Sequence, residues 1–250
     1  KGFDSKYIVD DHSGTIYVTK NSIDDNTYAP ALTASGKAAR AAMRFRDKLG
    51  FQLFNAGFDN NDTEKNGYKL NWFGDGKPQF SVVHPSVVPD GSTQSNASGS
   101  NIALTEDNLE VAEIALEDQK QDNGEMLDFT GAKTIAVPHN LRRTARIILE
   151  TEGSIGNDFN DTNVYEGAFN LIVSKYFGTG NGGSATAWYM LDDNAHMLSF
   201  VDRETPYMEE DYNSRNKTFE FNIHARSTAA SMGWKATFGS KGTGSGTYTA

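Results

Sequence analysis

The residues with chemical potential are few, and each is best read by its spacing. Gly178-Thr179-Gly180-Asn181-Gly182-Gly183 satisfies G-x-G-x-x-G and follows a predicted strand. That run binds a pyrophosphate only when a helix N-terminus comes next. Here Ala185-Thr186-Ala187-Trp188-Tyr189 follows and reads as another strand, so the glycine run is a loop. Asp59-Asn60-Asn61-Asp62 and Asp158-Phe159-Asn160-Asp161 open like calcium loops. Their sixth positions hold Glu64 and Asn163 where glycine is needed, and their twelfth hold Leu70 and Phe169 where a bidentate Glu is needed. Both are read as polar turns. His12, His84, His139, His196 and His224 never pair at metal-ligand spacing, and no H-E-x-x-H, G-x-S-x-G or Walker sequence is present. Glu209-Glu210-Asp211 is the densest acidic cluster. A glycosidase needs two carboxyls facing each other across a cleft, whereas three consecutive acids in a predicted loop read as a solvated or partner-facing patch. No catalytic residue, cofactor or metal ligand is assigned.

Composition narrows the class. The chain has 250 residues, enough to bury a sizeable core, with 37% hydrophobic and 22% charged residues. Lys plus Arg number 23 against 33 Asp plus Glu, a net charge of −10. A dedicated nucleic-acid binder needs the opposite field to displace counterions from phosphates. A wall that merely encloses nucleic acid does not, because such a wall should let it slide. There is no cysteine, so disulfides and thiolate metal sites are excluded. No apolar run approaches the ~20 residues that span a bilayer. No signal peptide is read at Lys1-Gly2-Phe3, and the missing initiator Met suggests processing or truncation.

The elements that would position these residues read as α+β. Lys6–Val9 and Thr15–Thr19 are predicted strands around a polar turn, Asp10–Gly14. A long helix runs from about Pro30 to Asn55, with Ala38, Ala42, Phe45, Leu49 and Leu53 forming one apolar stripe. Lys37, Arg40, Arg44, Asp47 and Lys48 lie opposite, Gly57 suits a left-handed C-terminal cap, and Gly50 marks close packing or a bend. Residues 58–103 are turn-rich. Thr105 caps a second helix, with Leu104 stapled onto Leu109. Thr134–Val137, then Pro138, leads to a third helix at about Asn140–Leu149. Strands follow at Leu171–Val173, Trp188–Leu191 and Met197–Val201. Thr218–Arg226 alternates, with Phe219, Phe221, Ile223 and Ala225 on its buried face. A last strand around Trp234–Phe238 precedes a flexible tail, Gly242–Gly246.

Several of these strings, taken in order, resemble the major capsid proteins of tailed bacteriophages, especially the Mu-type major head subunit. Phe51-Gln52-Leu53-Phe54-Asn55-Ala56-Gly57-Phe58 is similar to that family's "LLNAGF" end of the spine helix. Phe80-Ser81-Val82-Val83-His84-Pro85 is similar to its "FSTxHP" segment. Ile135-Ala136-Val137-Pro138 with Leu141 and Ala145 resembles its strand–Pro–helix step. Arg203-Glu204-Thr205-Pro206, Glu209-Glu210-Asp211, the alternating strand, Arg226, Gly233-Trp234 and Gly239-Ser240 follow its closing pattern.

The resemblance implies the Hong Kong phage-type capsid fold, an α+β fold with a spine helix on a peripheral-domain sheet and an axial domain. It places an extended-loop remnant and peripheral domain at 1–103 and the axial domain at 104–197. The peripheral return strands fall at 198–230, and the last strand and tail at 231–250. The implied function is self-assembly into hexamers and pentamers of an icosahedral shell around double-stranded DNA, without catalysis or cofactor. The partners are other copies of the chain, the portal and other head proteins, with DNA enclosed without sequence-specific binding and no membrane contact. The implied location is the virion capsid, assembled in the host bacterial cytoplasm. Subunit-contact candidates are Lys1, Phe3, Arg40, Arg44, Glu209, Glu210, Asp211 and Arg215. The chain starts near the descending half of the family's extended loop. The alternatives are an encapsulin-type nanocompartment shell and a β-rich glycan-binding or polysaccharide-hydrolase domain.

Overall fold

A computed structural model describes residues 3, 6–25, 29–59, 64–65, 68–85, 93–153 and 162–242. In chain order the elements begin β1 (Asp10–Thr19), α1 (Lys20–Asp24), α2 (Ala29–Asn55), β2 (Glu64–Lys65), β3 (Tyr68–Asn71), β4 (His84–Pro85) and β5 (Thr93–Gln94). Then come α3 (Glu106–Glu117), β6 (Lys133–Pro138), α4 (Arg142–Glu150) and β7 (Asn170–Ser174). The chain closes with β8 (Trp188–Asp192), β9 (Leu198–Asn213), β10 (Thr218–Ser231) and β11 (Thr237–Ser240). They fall into two compact units. One comprises Lys1–Lys6, Phe51–Ser199 and Ala230–Ala250, and the other Tyr7–Gly50 and Phe200–Ala229.

The first unit is built on a sheet of order β11-β8-β6-β7. Its β6–β7 pair is parallel, with Ile135 opposite Leu171, and α4 lies in the crossover that a parallel pair requires. The central strands are buried on both faces, which explains their unbroken apolar runs. Ile135, Val137, Trp188 and Met190 point into a cluster with Leu109, Leu116 and Ile148, residues of α3 and α4. The intervening Ala136 and Tyr189 point into a second cluster, with Phe58, Phe80 and Phe177. Side chains alternate along a strand, so one pair of strands supplies both cores. Thr105 caps α3 as expected, its Oγ1 accepting from the Asn108 N–H at 3.2 Å, and Leu104 and Leu109 are both buried.

In the second unit β10 pairs with β1 and with β9. The register runs from Asp10 opposite Ser227 to Thr19 opposite Thr218. The predicted turn at Asp10–Gly14 is therefore extended strand, because the ladder to β10 satisfies its backbone groups. The predicted one-sided burial of β10 also differs. Of Phe219, Phe221, Ile223 and Ala225 only Ala225 is buried, and the alternating polar residues are half-covered too. β10 has β1 and β9 beside it, and rings of β9 shelter it: Tyr212 lies 4.9 Å from Phe219 and Tyr207 lies 5.8 Å from His224, between centroids. In α2, Ala38 and Leu49 are buried, but Ala42 and Phe45 are only half-buried, beside an open groove of about 560 Å³ between the helix and β1.

Gly50 in α2 and Gly57 just past its end both depart from expectation. Gly57 is not among the left-handed residues. A Cβ there would lie 2.8 Å from the Leu53 carbonyl oxygen and 2.8 Å from the Phe80 ring. Close packing, not turn geometry, excludes a side chain. At Gly50, among the described residues, a Cβ would meet only Phe200, at an ordinary 3.7 Å. The two should respond with opposite sign. Gly57→Ala should cost about 1–3 kcal/mol by overpacking, and Gly50→Ala should gain up to about 1 kcal/mol of helix propensity. Thermal melts of the two variants against the parent check this, and equal shifts of the same sign would contradict it.

Candidate contact surfaces

The predicted contact residues are spread over both units. Arg40 and Arg44 are exposed on α2. Glu209, Glu210 and Asp211 are exposed too, but they lie on strand β9 and not in a loop, because β9 continues to Asn213 along β10. Arg215 sits in the turn after β9, where its N–H donates to Asn213 Oδ1 at 3.2 Å. The acids and Arg215 thus share one hairpin end. Among the described residues none of the three carboxylates has an ion-pair partner, and the Asp211 carboxylate accepts only from the adjacent Tyr212 N–H at 2.8 Å. Phe3 is in the other unit, 38% exposed, with its ring edge-on to Phe73 at 5.7 Å. Lys1 lies outside the described residues, as do Asn60–Asp62, Asp158–Asp161 and the predicted tail beyond Gly242.

The fixed charges lock the second unit internally. Arg226 on β10 pairs with Asp11 on β1 and, at 3.6 Å, with Glu204 on β9, so one guanidinium ties three strands. Arg46 pairs with Asp202 and lies 5.0 Å from the centre of the Phe200 ring. The sequence offered only a polar strand face at Arg226; its partners became visible once β1 and β9 were placed on either side.

The glycine run is also internal furniture. Thr179–Asn181 forms a 3-10 turn. Gln52 Nε2 donates to the Asn181 carbonyl at 2.8 Å, and Asn55 Nδ2 donates to the carbonyls of Tyr176 at 2.8 Å and Asn181 at 3.0 Å. A Cβ at Gly183 would lie 2.5 Å from Asn55 Oδ1. The loop is pinned to the end of α2, and its glycines make that approach possible.

One buried constellation escaped the sequence reading. His84 Nδ1 lies 2.7 Å from Asp75 Oδ2, with both side chains only 1% exposed. The imidazole stacks on Trp234, centroids 4.2 Å apart and planes 9° apart. Its other nitrogen meets Asn96 Oδ1 at 3.1 Å. Asn96 Oδ1 also accepts from the Ser81 N–H at 2.9 Å, while its Nδ2 donates to the carbonyls of Gln79 at 2.7 Å and Trp234 at 3.2 Å. A carboxylate orienting an imidazole is the geometry of a general base. Here Asn96 and the Trp234 ring occupy the space a substrate would need, so the pair braces turns 74–76 and 233–234. The signal was Asp75 and His84 nine residues apart across a predicted turn, a separation that no motif marks. Among the described residues no cluster of three or more His, Asp or Glu could hold a metal ion, and no helix is long and apolar enough to cross a membrane.

Residues 3–238 match the family described as phage capsid protein. No curated protein matches the chain. Among solved structures, the capsid of a native GTA particle is similar over 92% of this chain and 71% of its own, at 11% identity and a TM-score of 0.54. The bacteriophage JBD30 capsid is similar over 70% and 77%, at 16% identity and 0.53. The capsid of the Myoviridae phage XM1 is similar over 94% and 73%, at 13% identity and 0.53. At these identities the likeness speaks for the fold, and in the α+β form expected.

The brace around Asn96 generates a stability test. Asn96→Ala strands the buried Ser81 N–H and the Gln79 carbonyl, while the Trp234 carbonyl keeps the Thr237 hydroxyl as donor, and each buried unpaired group costs about 1–3 kcal/mol. A fall in melting temperature of many degrees is expected, against no change for Asn216→Ala at the exposed hairpin end. Equal melting of the two variants would contradict the brace.

Proposed function

This chain belongs to the phage capsid protein family, and we propose that within it the chain is the major head subunit of a tailed phage. It is a structural protein of the capsid. In this reading copies close into hexamers and pentamers of an icosahedral shell, enclose double-stranded DNA without reading its sequence, and meet the portal and other head proteins. Assembly takes place in the host cytoplasm, and no catalytic step is assigned to the chain. Residues 104–197 serve as the axial domain, 1–103 and 198–230 as the peripheral domain, and 231–250 as last strand and tail. The observation that carries the reading is the family match across residues 3–238. An acidic wall, net charge −10, suits a container whose contents must move.

Within the shell, Glu209, Glu210 and Asp211 face basic side chains of a neighbouring copy, with Arg40 and Arg44 as the candidate partners. Adjacent carboxylates repel, and a neighbour's cations relieve that repulsion. Each exposed pair is weak, but a closed shell repeats it at every interface.

Sedimentation of the full-length chain is the test of assembly. Capsomer rings or closed shells are expected, and a homogeneous monomeric species across protein concentrations and salts would remove the reading. Replacing Glu209, Glu210 and Asp211 together with Ser should weaken assembly while leaving the melt unchanged, and added salt should mimic it by screening. A triple variant that assembles like the parent at low and high salt shows these acids to be plain solvated surface.

A further inference from the structure

Two helices on one layer of the first unit carry opposite charge outward. Along α3 the buried residues are Leu109, Ala112 and Leu116, which turns Asp107, Glu110, Val111, Ile114 and Glu117 away from the core. Val111 and Ile114 are 49% and 52% exposed, aliphatic groups set inside an acidic stripe. Beside them a cleft of about 640 Å³ is lined by Glu110, Glu113, Ile114, Val164 and Tyr165. Lys133 answers Glu113 and Glu117, at 2.6 Å each. Asp107 and Glu110 have no ion-pair partner among the described residues. The negative field is felt nearby: burial, then the charges of Glu113, Glu110, Glu106 and Asp107, hold the Tyr165 hydroxyl above its ordinary pKa.

On α4 the buried residues are Ala145, Ile148 and Leu149, leaving Arg142, Arg143 and Arg146 exposed. Arg146 has only an open contact with Glu150 at 3.6 Å, and Arg142 and Arg143 have no carboxylate partner among the described residues. Both stand in the first turn of their helix, where the macrodipole disfavours cations. Nothing within the described residues offsets that placement.

We propose that the arginine face of α4 in one subunit docks on the acidic, aliphatic-studded face of α3 in a second copy, in a head-to-tail contact that repeats around a ring. The chemistry fits on both sides. An arginine lays its apolar stem over groups such as Val111 and Ile114 and brings a planar fork to carboxylates such as Asp107 and Glu110. A two-fold pair could satisfy both faces only reciprocally, α3 on α4 and α4 on α3 in one closed dimer, whereas a ring uses one face toward each of two neighbours. The shell reading above requires each subunit to meet a different copy on each side, which selects the ring. This contact rests on the shell reading above and names one of its seams.

The test compares four full-length chains by the fraction that sediments as rings or shells: parent, R142E/R143E, D107K/E110K, and the chain carrying all four changes. Each two-site reversal should lower the assembled fraction at least about tenfold by placing like charges together. The four-site chain, with complementarity restored at every interface, should return to the parent level. Melting confirms folding. Where a reversal unfolds, R142Q/R143Q and D107N/E110Q take its place and should weaken assembly and flatten its salt dependence. Reversals that assemble like the parent overturn this contact and leave the shell reading standing, and so does a four-site chain that stays dispersed while folded. A parent chain that never assembles removes both.

Discussion

The ring of Phe80, 1% exposed, lies between two stretches of backbone that carry no side chain to hold it off. A Cβ at Gly57 would come within 2.8 Å of that ring and a Cβ at Gly239 within 2.6 Å. The Phe80 N–H donates to the Gly57 carbonyl at 2.8 Å, and the Gly239 N–H donates to the Asn96 carbonyl at 3.0 Å. One aromatic side chain thereby joins the end of α2, the segment after β3 and the last strand. Phe58 and Tyr189 close round it, centroids 5.0 and 5.2 Å away. Such an arrangement tolerates no added methyl group at either glycine, because interiors are packed to crystal density.

Buried polar side chains brace loops in the same unit. Asp192 is fully buried, with one oxygen accepting from the N–H groups of Asn194 and Ala195 at 2.9 and 2.8 Å and the other from Gly131 at 3.2 Å. Gln52 and Asn55 hold the glycine loop, Asn96 holds two turns, and Asp75 holds His84. Most of these bonds go to backbone groups, and the Asp75–His84 contact goes side chain to side chain. Among the described residues, charged side chains without an ion-pair partner include the β9 acids, Arg40 and Arg44 on α2, Asp107 and Glu110 on α3, and Arg142 and Arg143 on α4. A subunit that uses buried polar groups to brace its own loops and carries unpaired charge on exposed helix and strand faces is suited to meeting copies of itself.

How much of this was legible beforehand depended on whether the cause was local. The span of α2 followed from its apolar spacing, the start of α3 from Thr105, and β6 and β8 from short apolar runs bounded by turn residues. What misled were positions decided by distant chain. Asp10–Gly14 reads as a turn until β10 supplies a ladder, and Glu209–Asp211 reads as a loop for the same reason. Gly57 reads as a left-handed cap, whereas what excludes a side chain there is the Leu53 carbonyl together with the ring of Phe80, 23 residues on and outside any local window. The Asp75–His84 pair and the three-strand role of Arg226 were invisible because partners that meet through tertiary structure leave no spacing to read. The family resemblance carried the function where residue chemistry could only exclude.

The central claim is that identical copies of this chain, differing only in their neighbours, form both five-fold and six-fold rings of one closed shell. Electron cryomicroscopy of the full-length protein, purified from the cells that express it, tests this most directly. The account predicts closed particles in which pentameric and hexameric rings occur together in the same wall. Isolated subunits, open filaments, or particles built from a single ring symmetry would contradict it.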